Sequence, residues 1–376
     1  MKIIFVGDIF CGGDLLKEKP SPKLIQIPEF YEADFRIANL ENPLSDWPGV
    51  ADKCVIHAPT SAVEYLKAFK IDGVSLANNH IQDKEEQGIK DTFNTLTKES
   101  IQYCGAGKTL DDARKPMILD KGGEKVAILS YCDFAKSYMS QIGLATEKSP
   151  GVAPLSYEKI IEDLEKLRSD VSKVILFFHW GREHTWFPPQ HDIDLAKKLL
   201  EHPKVSLIVA CHSHLPQGCI EHNGKKAFMG LGNFLFPNSF IKPPVQIDYP
   251  KSALDYDITH GYHTVYKLTH KRWSKWCRRS LVVSFDTNAD TVHTIFAEQD
   301  YLKPVTRKIV PFKRFYILTW IYNNTGRIYH YLSDLWYKYV VFKRLFLSYR
   351  FYIKQTGLRI FLSKVINKIK NKVGIK

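Results

Sequence analysis

Seven residues in the first 214 positions carry side chains suited to chemistry: Asp8, Glu41, Asn79, His80, His179, His212 and His214. Carboxylate, amide oxygen and imidazole together suit Mn, Zn, Fe or Ni rather than the all-oxygen cages of calcium or magnesium. A carboxylate can bridge two cations about 3.5–4 Å apart, and such a pair aligns a substrate for in-line attack by water. In His212-Ser213-His214 two imidazoles are offered from one short stretch. A single Asp or Asn of this kind is most often a turn or cap residue, and a single buried His is most often hydrogen-bonded structure. It is their repetition at the ends of separate apolar runs that points to a metal or catalytic cleft.

Those runs are the elements that must position them. Lys2–Val6 leads into Gly7-Asp8, Phe35–Ala38 into Asn39-Leu40-Glu41-Asn42, and Asp72–Ala77 into Asn78-Asn79-His80. Lys173–Phe178 leads into His179-Trp180-Gly181, Val205–Ala210 into Cys211-His212-Ser213-His214, and Lys226–Leu231 into Gly232-Asn233-Phe234. Short continuous apolar runs fit strands buried on both faces. Between them, Val63/Leu66/Phe69, Ile160/Ile161/Leu164/Leu167 and Ile193/Ala196/Leu199/Leu200 repeat with helical spacing. Thr60 or Ser61 and Ser156 are the expected N-caps of the first two. Strands alternating with helices predict an α/β domain, whose ligands gather beyond the strand C-terminal ends. Residues 237–297 are less regular. Pro243-Pro244 and the run from His270 to Arg279 read as loop, Ser280–Asp286 as a strand and Thr291–Ala297 as its hairpin partner.

The motifs G-D near the start, A-N-L-E-N-P, S-L-A-N-N-H-x-x-D, H-W-G-x-E, C-H-S-H-x-x-Q-G and G-L-G-N-F occur in this order. Together they resemble the CapA family of bacterial capsule or poly-γ-glutamate synthesis proteins, within the calcineurin-like metallophosphoesterase superfamily. The resemblance covers roughly residues 2–300. It implies a metallophosphatase-like β-sandwich flanked by helices and one or two divalent transition metals, Mn, Zn or Fe. It also implies metal-binding roles for Asp8, Glu41, Asn79, His179, His212 and His214, with His80 as the proton donor to a leaving group. Asp83, Glu183 and Asn233 are the expected supporting or substrate-facing residues. His184 accompanies them, and a solvated loop is an equal expectation for Glu183 and His184. For Asn233, a tight turn built on Gly232 is the equal alternative. Two positions depart from the superfamily pattern: Phe10 stands where it has a His, and Glu41 where it has a bridging Asp. The function implied is surface-polymer biosynthesis by a metal-dependent hydrolase of phosphoesters or γ-glutamyl amides. The alternative is a non-catalytic scaffold in a polymer synthesis or export complex.

Charge divides the 376-residue chain in two. From Tyr301 to Lys376 there are 17 Lys/Arg and one acid, Asp334, a net +16, and 17 of the 48 aromatics; residues 1–300 carry a net −3. The expected domains are therefore residues 1–300 and a basic, aromatic helical tail, 301–376. Leu358, Phe361, Leu362, Val365, Ile366, Ile369 and Val373 make one helical stripe; Phe342, Leu345, Phe346, Tyr349 and Tyr352 make another. Such amphipathic cationic helices suit an anionic membrane surface. A cap packed on the body or on a partner is the competing reading, and nucleic-acid binding is disfavoured. Seven cysteines without a C-x-x-C pair argue for reduced thiols. With no signal-peptide pattern and no spanning segment, the expected location is peripheral, on the cytoplasmic face of the membrane.

Overall fold

In a computed structural model, residues 1–51, 53, 55–133, 143–241 and 269–373 are described. The Pro243-Pro244 stretch and Cys54 lie outside them.

The apolar runs form two sheets. A nine-stranded sheet has Lys2–Ile9 at its centre. On one side of it run Phe35–Leu40, Gly73–Ser75 and Gln102–Cys104, all parallel. On the other side, Lys2 to Phe5 pair antiparallel with Arg279–Asp286, which continues into Thr291–Gln299 and Thr306–Ile309. The far half of the central strand instead meets Asn233–Leu235 in parallel, Asp8 opposite Asn233. The six-stranded second sheet runs in the order Cys219–His222, Lys225–Phe228, Val205–Cys211, Val171–His179, Glu124–Cys132, Met117–Lys121.

Strand alternation sorts the core into three layers. Ile3, Phe5, Ile37 and Val283 meet Val126, Ile128, Ile175, Phe177 and Val209 of the second sheet, with the Phe5 and Phe177 rings edge to face at 6.3 Å. Ile4, Val6, Ala38 and Val74 point the opposite way, onto Leu66 of the Val63–Ala68 helix and Ile89, Phe93 and Leu96 of the Glu85–Lys98 helix. The outer face of the second sheet packs on Ile160 and Leu164 of Tyr157–Lys166 and on Ile193 and Leu200 of Gln190–Leu200. The expected α/β sandwich flanked by helices is what forms. Ser156 caps its helix, accepting from the Lys159 amide at 3.4 Å. At the other expected cap the helix is entered through a 3₁₀ turn, Thr60–Ala62, without side-chain capping. The segment expected as loop after residue 269 begins with a short strand, Thr269–Lys271, paired with Ser239–Ile241.

Past residue 300 the chain makes three helices, Lys313–Asn324, Ile328–Thr356 and Leu358–Val373. The first covers an exposed sheet edge, the feature that otherwise invites strand addition. Thr319 Oγ1 accepts from the Cys219 amide at 3.0 Å, Asn323 Oδ1 accepts from Glu221 N at 2.9 Å, and Asn323 Nδ2 donates to Cys219 O at 2.9 Å. Gly218 is required there, because a Cβ would lie 2.7 Å from the Thr319 amide. The second helix is rooted in the loop after Gly181. Tyr329 Oη and Ser333 Oγ both donate to the Pro188 carbonyl, at 2.7 and 2.9 Å, while Tyr322 Oη of the first helix donates to Trp186 O.

Candidate metal centre

Asp8 reaches the cleft because the central strand can run close to the 231–233 turn. A Cβ on Gly7 would lie 1.8 Å from the Gly232 carbonyl oxygen, and Gly232 itself has φ +76°. Both positions thus demand glycine, and the tight turn expected at Gly232 is present. A register shift after Val6 then places Asp8 beside Asn39 of the neighbouring strand. Asn39 Nδ2 donates to Asp8 Oδ1 at 2.8 Å and to Glu41 Oε2, joining the two carboxylates through one amide. Asn78 Nδ2 donates to Asn39 Oδ1 at 3.2 Å and to Leu40 O at 2.7 Å, so Asn39 is itself held.

The seven expected residues converge from both sheets. Ligand atoms of Asp8, Glu41 and His214 lie within 4.8 Å of one another. Beside them, His179 Nε2 is 3.0 Å from Asn79 Oδ1, 3.0 Å from His212 Nδ1 and 3.8 Å from Glu41 Oε1. Glu41 stands between the two groups. The histidine loop is conformationally costly: His212 has φ +94° and His214 φ +54°, values that non-glycine residues rarely adopt. Asn233 Oδ1 accepts from His214 Nδ1 at 2.8 Å, which orients that ring.

The electrostatics fit a cation. Asp8 Oδ2 and Glu41 Oε1 are buried and accept no hydrogen bond among the described residues, an arrangement that costs free energy unless a charge or donor compensates it. Burial and the Asp8 charge push the Glu41 carboxyl well above the usual carboxylate range. Burial would raise Asp8 as well, but His214, whose Nδ1 lies 3.6 Å from Asp8 Oδ2, and the Asn39 hydrogen bond prevail and lower it. Burial holds His179 well below the ordinary imidazole value and brings His212 down to about 4, so both are neutral at pH 7. Two carboxylates, one amide oxygen and three imidazoles form a donor set suited to one or two divalent transition metals.

His80 sits at the edge of this set. Its Nδ1 donates to Asp83 Oδ2 at 2.6 Å, leaving Nε2 as the nitrogen available for proton traffic. Asp83 is completely buried and also accepts from Ile56 N at 2.6 Å. Burial lowers the His80 pKa, with Asp83 opposing and Lys53 assisting. Glu183 is buried rather than solvated, and its charge acts on His212, His179 and Glu41. The neighbouring His184 is half-buried, its ring 5.3 Å from His214 and 6.0 Å from Trp273. Phe10 is turned into the apolar core, its ring 5.3 Å from Phe236. Asn39, Asn78 and Lys53 were not among the expected residues. The first two lie inside the strand-end motifs, where an amide flanking a ligand was the available signal.

With this geometry in place, residues 2–238 match the family model described as "Bacterial capsule synthesis protein PGA_cap", and the chain belongs to that family. It is 31% identical over 249 residues to the PGA biosynthesis protein CapA of Bacillus subtilis, covering 63% of this chain and 64% of the relative. It is 26% identical over 224 residues to the capsule biosynthesis protein CapA of Bacillus anthracis, covering 57% of this chain and 53% of the relative. A probable polyglutamine synthesis accessory protein of Mycobacterium tuberculosis is 26% identical over 226 residues, covering 57% and 58%. The matches thus span less than two thirds of these relatives' length. Among solved structures, a novel phosphatase from Mycoplasma pneumoniae is similar with a TM-score of 0.46 and 14% identity, covering 85% of this chain and 98% of that one. The calcineurin-like phosphoesterase YfkN of Bacillus subtilis follows at 0.39 and 15%, covering 82% and 87%. At such scores the two-sheet architecture stands on this chain's own strands.

Proposed function

We propose that this chain is a metal-dependent hydrolase acting in the assembly of a bacterial surface polymer, on a phosphoester or a γ-glutamyl amide. One observation carries the reading: Asp8, Glu41 and His214 form one ligand group, Asn79, His179 and His212 a second, and Glu41 lies within reach of both. When bound there, divalent cations activate water and polarise a phosphoryl or carbonyl oxygen. The chain's own contribution is orientation and proton handling. Asn39 fixes both carboxylates, Asn233 fixes His214, and Asp83 leaves His80 Nε2 to hold a proton for the leaving oxygen or nitrogen. Burial disfavours the protonated ring that this role requires, and the Asp83 charge beside it opposes that effect. A panel of phosphodiesters and γ-glutamyl peptides with added Mn or Zn tests the proposal; hydrolysis of none of them would defeat it.

The second reading is a scaffold subunit of a polymer synthesis complex. Phe10, buried where the superfamily would place a further ligand, favours it. Elemental analysis separates the readings: less than about half a metal equivalent, unchanged by His212→Ala, would select the scaffold.

For attachment, we propose that the outer part of the tail lies on an anionic membrane surface. No helix among the described residues is long and apolar enough to cross a membrane. Phe342, Phe346, Leu347, Leu358, Leu362, Ile366 and Ile369 are nevertheless exposed, amid Lys343, Arg350, Lys354, Arg359, Lys364, Lys368 and Lys370. Each cation near such a surface contributes about 1 kcal/mol, and the apolar side chains add burial that salt does not screen. The six described cysteines are buried and form no disulfide with one another, which supports placement on the cytoplasmic side. Failure of the full chain to bind phosphatidylserine vesicles at low salt would overturn the attachment.

A further inference from the structure

A lysine that belongs to no strand-end motif ties the candidate acid to the candidate ligand. Lys53 lies between two residues whose amides hold Asp83: Ala51 N donates to Asp83 O at 3.0 Å and Ile56 N to Asp83 Oδ2 at 2.6 Å. The Lys53 side chain is 8% exposed, against 0% for Asp83, and its Nζ lies 2.6 Å from Asp83 Oδ1. The same ammonium donates to the backbone carbonyl of Asn79. One buried charge therefore grips the carboxylate that orients His80 and the main chain of the residue whose Oδ1 faces His179.

We propose that Lys53 is a positioning residue, holding Asn79 in ligating position and, through Asp83, holding the His80 ring. The inference takes its use from the hydrolase reading, but its geometry stands without it. Desolvating a lysine and an aspartate is expensive, and the pair is retained only where geometry and further hydrogen bonds compensate. Here the further bonds run to two consecutive residues of the centre rather than to distant framework. A lysine serves this purpose because a point charge with three rotatable donors can divide them between a carboxylate and a carbonyl. Residues that orient metal ligands from behind typically change metal affinity by 10–100-fold when lost.

The test uses zinc as the probe and needs no turnover. Zinc titration calorimetry and the downfield proton spectrum, with the His80 Nδ1–H signal identified by its loss in His80→Gln, are compared in four proteins. These are wild type, Lys53→Met, Asp83→Asn and the double variant. Lys53→Met should weaken zinc binding by about tenfold or more and abolish the slowly exchanging His80 Nδ1–H signal. Asp83→Asn, which leaves the lysine bond to the Asn79 carbonyl, should lose that signal while binding zinc within about threefold of wild type. If Lys53→Met does not fold because it strands Asp83, the double variant replaces it, with Asp83→Asn as its reference for zinc affinity. Zinc affinity unchanged within about twofold on removal of Lys53, or a retained His80 signal in folded Lys53→Met, overturns the proposal. Absence of hydrolysis by wild type, with both effects present, would instead overturn the hydrolase reading alone.

Discussion

Asn79 and His179 lie one hundred residues apart in sequence, Asn79 beyond the Gly73–Ser75 strand and His179 at the end of the Val171–His179 strand of the other sheet, yet Asn79 Oδ1 and His179 Nε2 are 3.0 Å apart. That contact closes the cleft between the two sheets. Any metal held there would be bound by the sandwich rather than by either sheet.

His179→Ala and His212→Ala should therefore lower metal content and activity together. Each removes one imidazole from a group of closely spaced ligands while leaving Asp8, Glu41 and His214 in place. Bound Mn or Zn per chain, measured after dialysis, should fall by about one half or more. Unchanged content in both variants would exclude them as ligands.

His80→Ala should behave differently. Its Nδ1 is committed to Asp83 and its ring is not within either ligand group, so metal content should be spared. Turnover of a responsive substrate should fall by about 10²–10⁴, the scale of lost proton transfer help. Metal lost in parallel with turnover would reassign His80 as a ligand.

The metal-free protein should carry an acid-sensitive component of stability at His212. Its folded pKa is depressed from 6.5 to about 4, chiefly by burial. The unfolded chain thus binds the extra proton first, and stability present above about 6.5 is lost as pH falls toward 4. Glu41, raised by burial and by Asp8, acts with the opposite sign. The informative quantity is the difference between proteins: the fall in thermal midpoint from pH 7 to pH 5 should be smaller in His212→Asn than in wild type. An equal or steeper fall would contradict the assignment.

Gly7→Ala should cost roughly 2–4 kcal/mol, because the new Cβ meets the Gly232 carbonyl at 1.8 Å. Denaturant unfolding measures this directly. A loss below about 0.5 kcal/mol would mean that the strand and turn can separate cheaply.

Removal of residues 341–376 should abolish vesicle binding and leave a folded body, since Tyr322, Tyr329, Ser333 and Val340 remain to pack. Removal from residue 301 should also destabilise the body, by deleting the Thr306–Ile309 strand and baring the Cys219–His222 edge. Equal stability of the two truncations would refute the edge-covering role.

The sequence made the strand ends readable because each is an apolar run of a few residues stopped by a polar cluster, a signal contained in one window. Asp8, Glu41, Asn79 and the later histidines were legible for that reason. Which strands share a sheet was not, since Ile3 and Ile4 look alike in composition yet face different layers. Lys53 was hidden because its partners are 26 or more residues away and its own segment has no periodicity. The root of the tail was hidden by a different cause. Tyr322, Tyr329 and Ser333 read as part of an aromatic, cationic stretch, while their hydroxyls are spent on carbonyls of the 186–188 loop.

The double hydrogen bond onto the Pro188 carbonyl gives the long helix a fixed starting point only a few residues from Glu183. From Ile328 to Thr356 it has 29 residues, about 43 Å at 1.5 Å each. A rod of set length, clamped beside the cleft at one end and, under the proposed attachment, resting on lipid at the other, would act as a ruler. Inserting one helical turn beyond Val340 would change its reach by about 5.4 Å without altering a single residue of the metal centre. Were the proposed polymer substrate tethered to the same surface, the height at which it meets the cleft would then be written in the residue count of one helix.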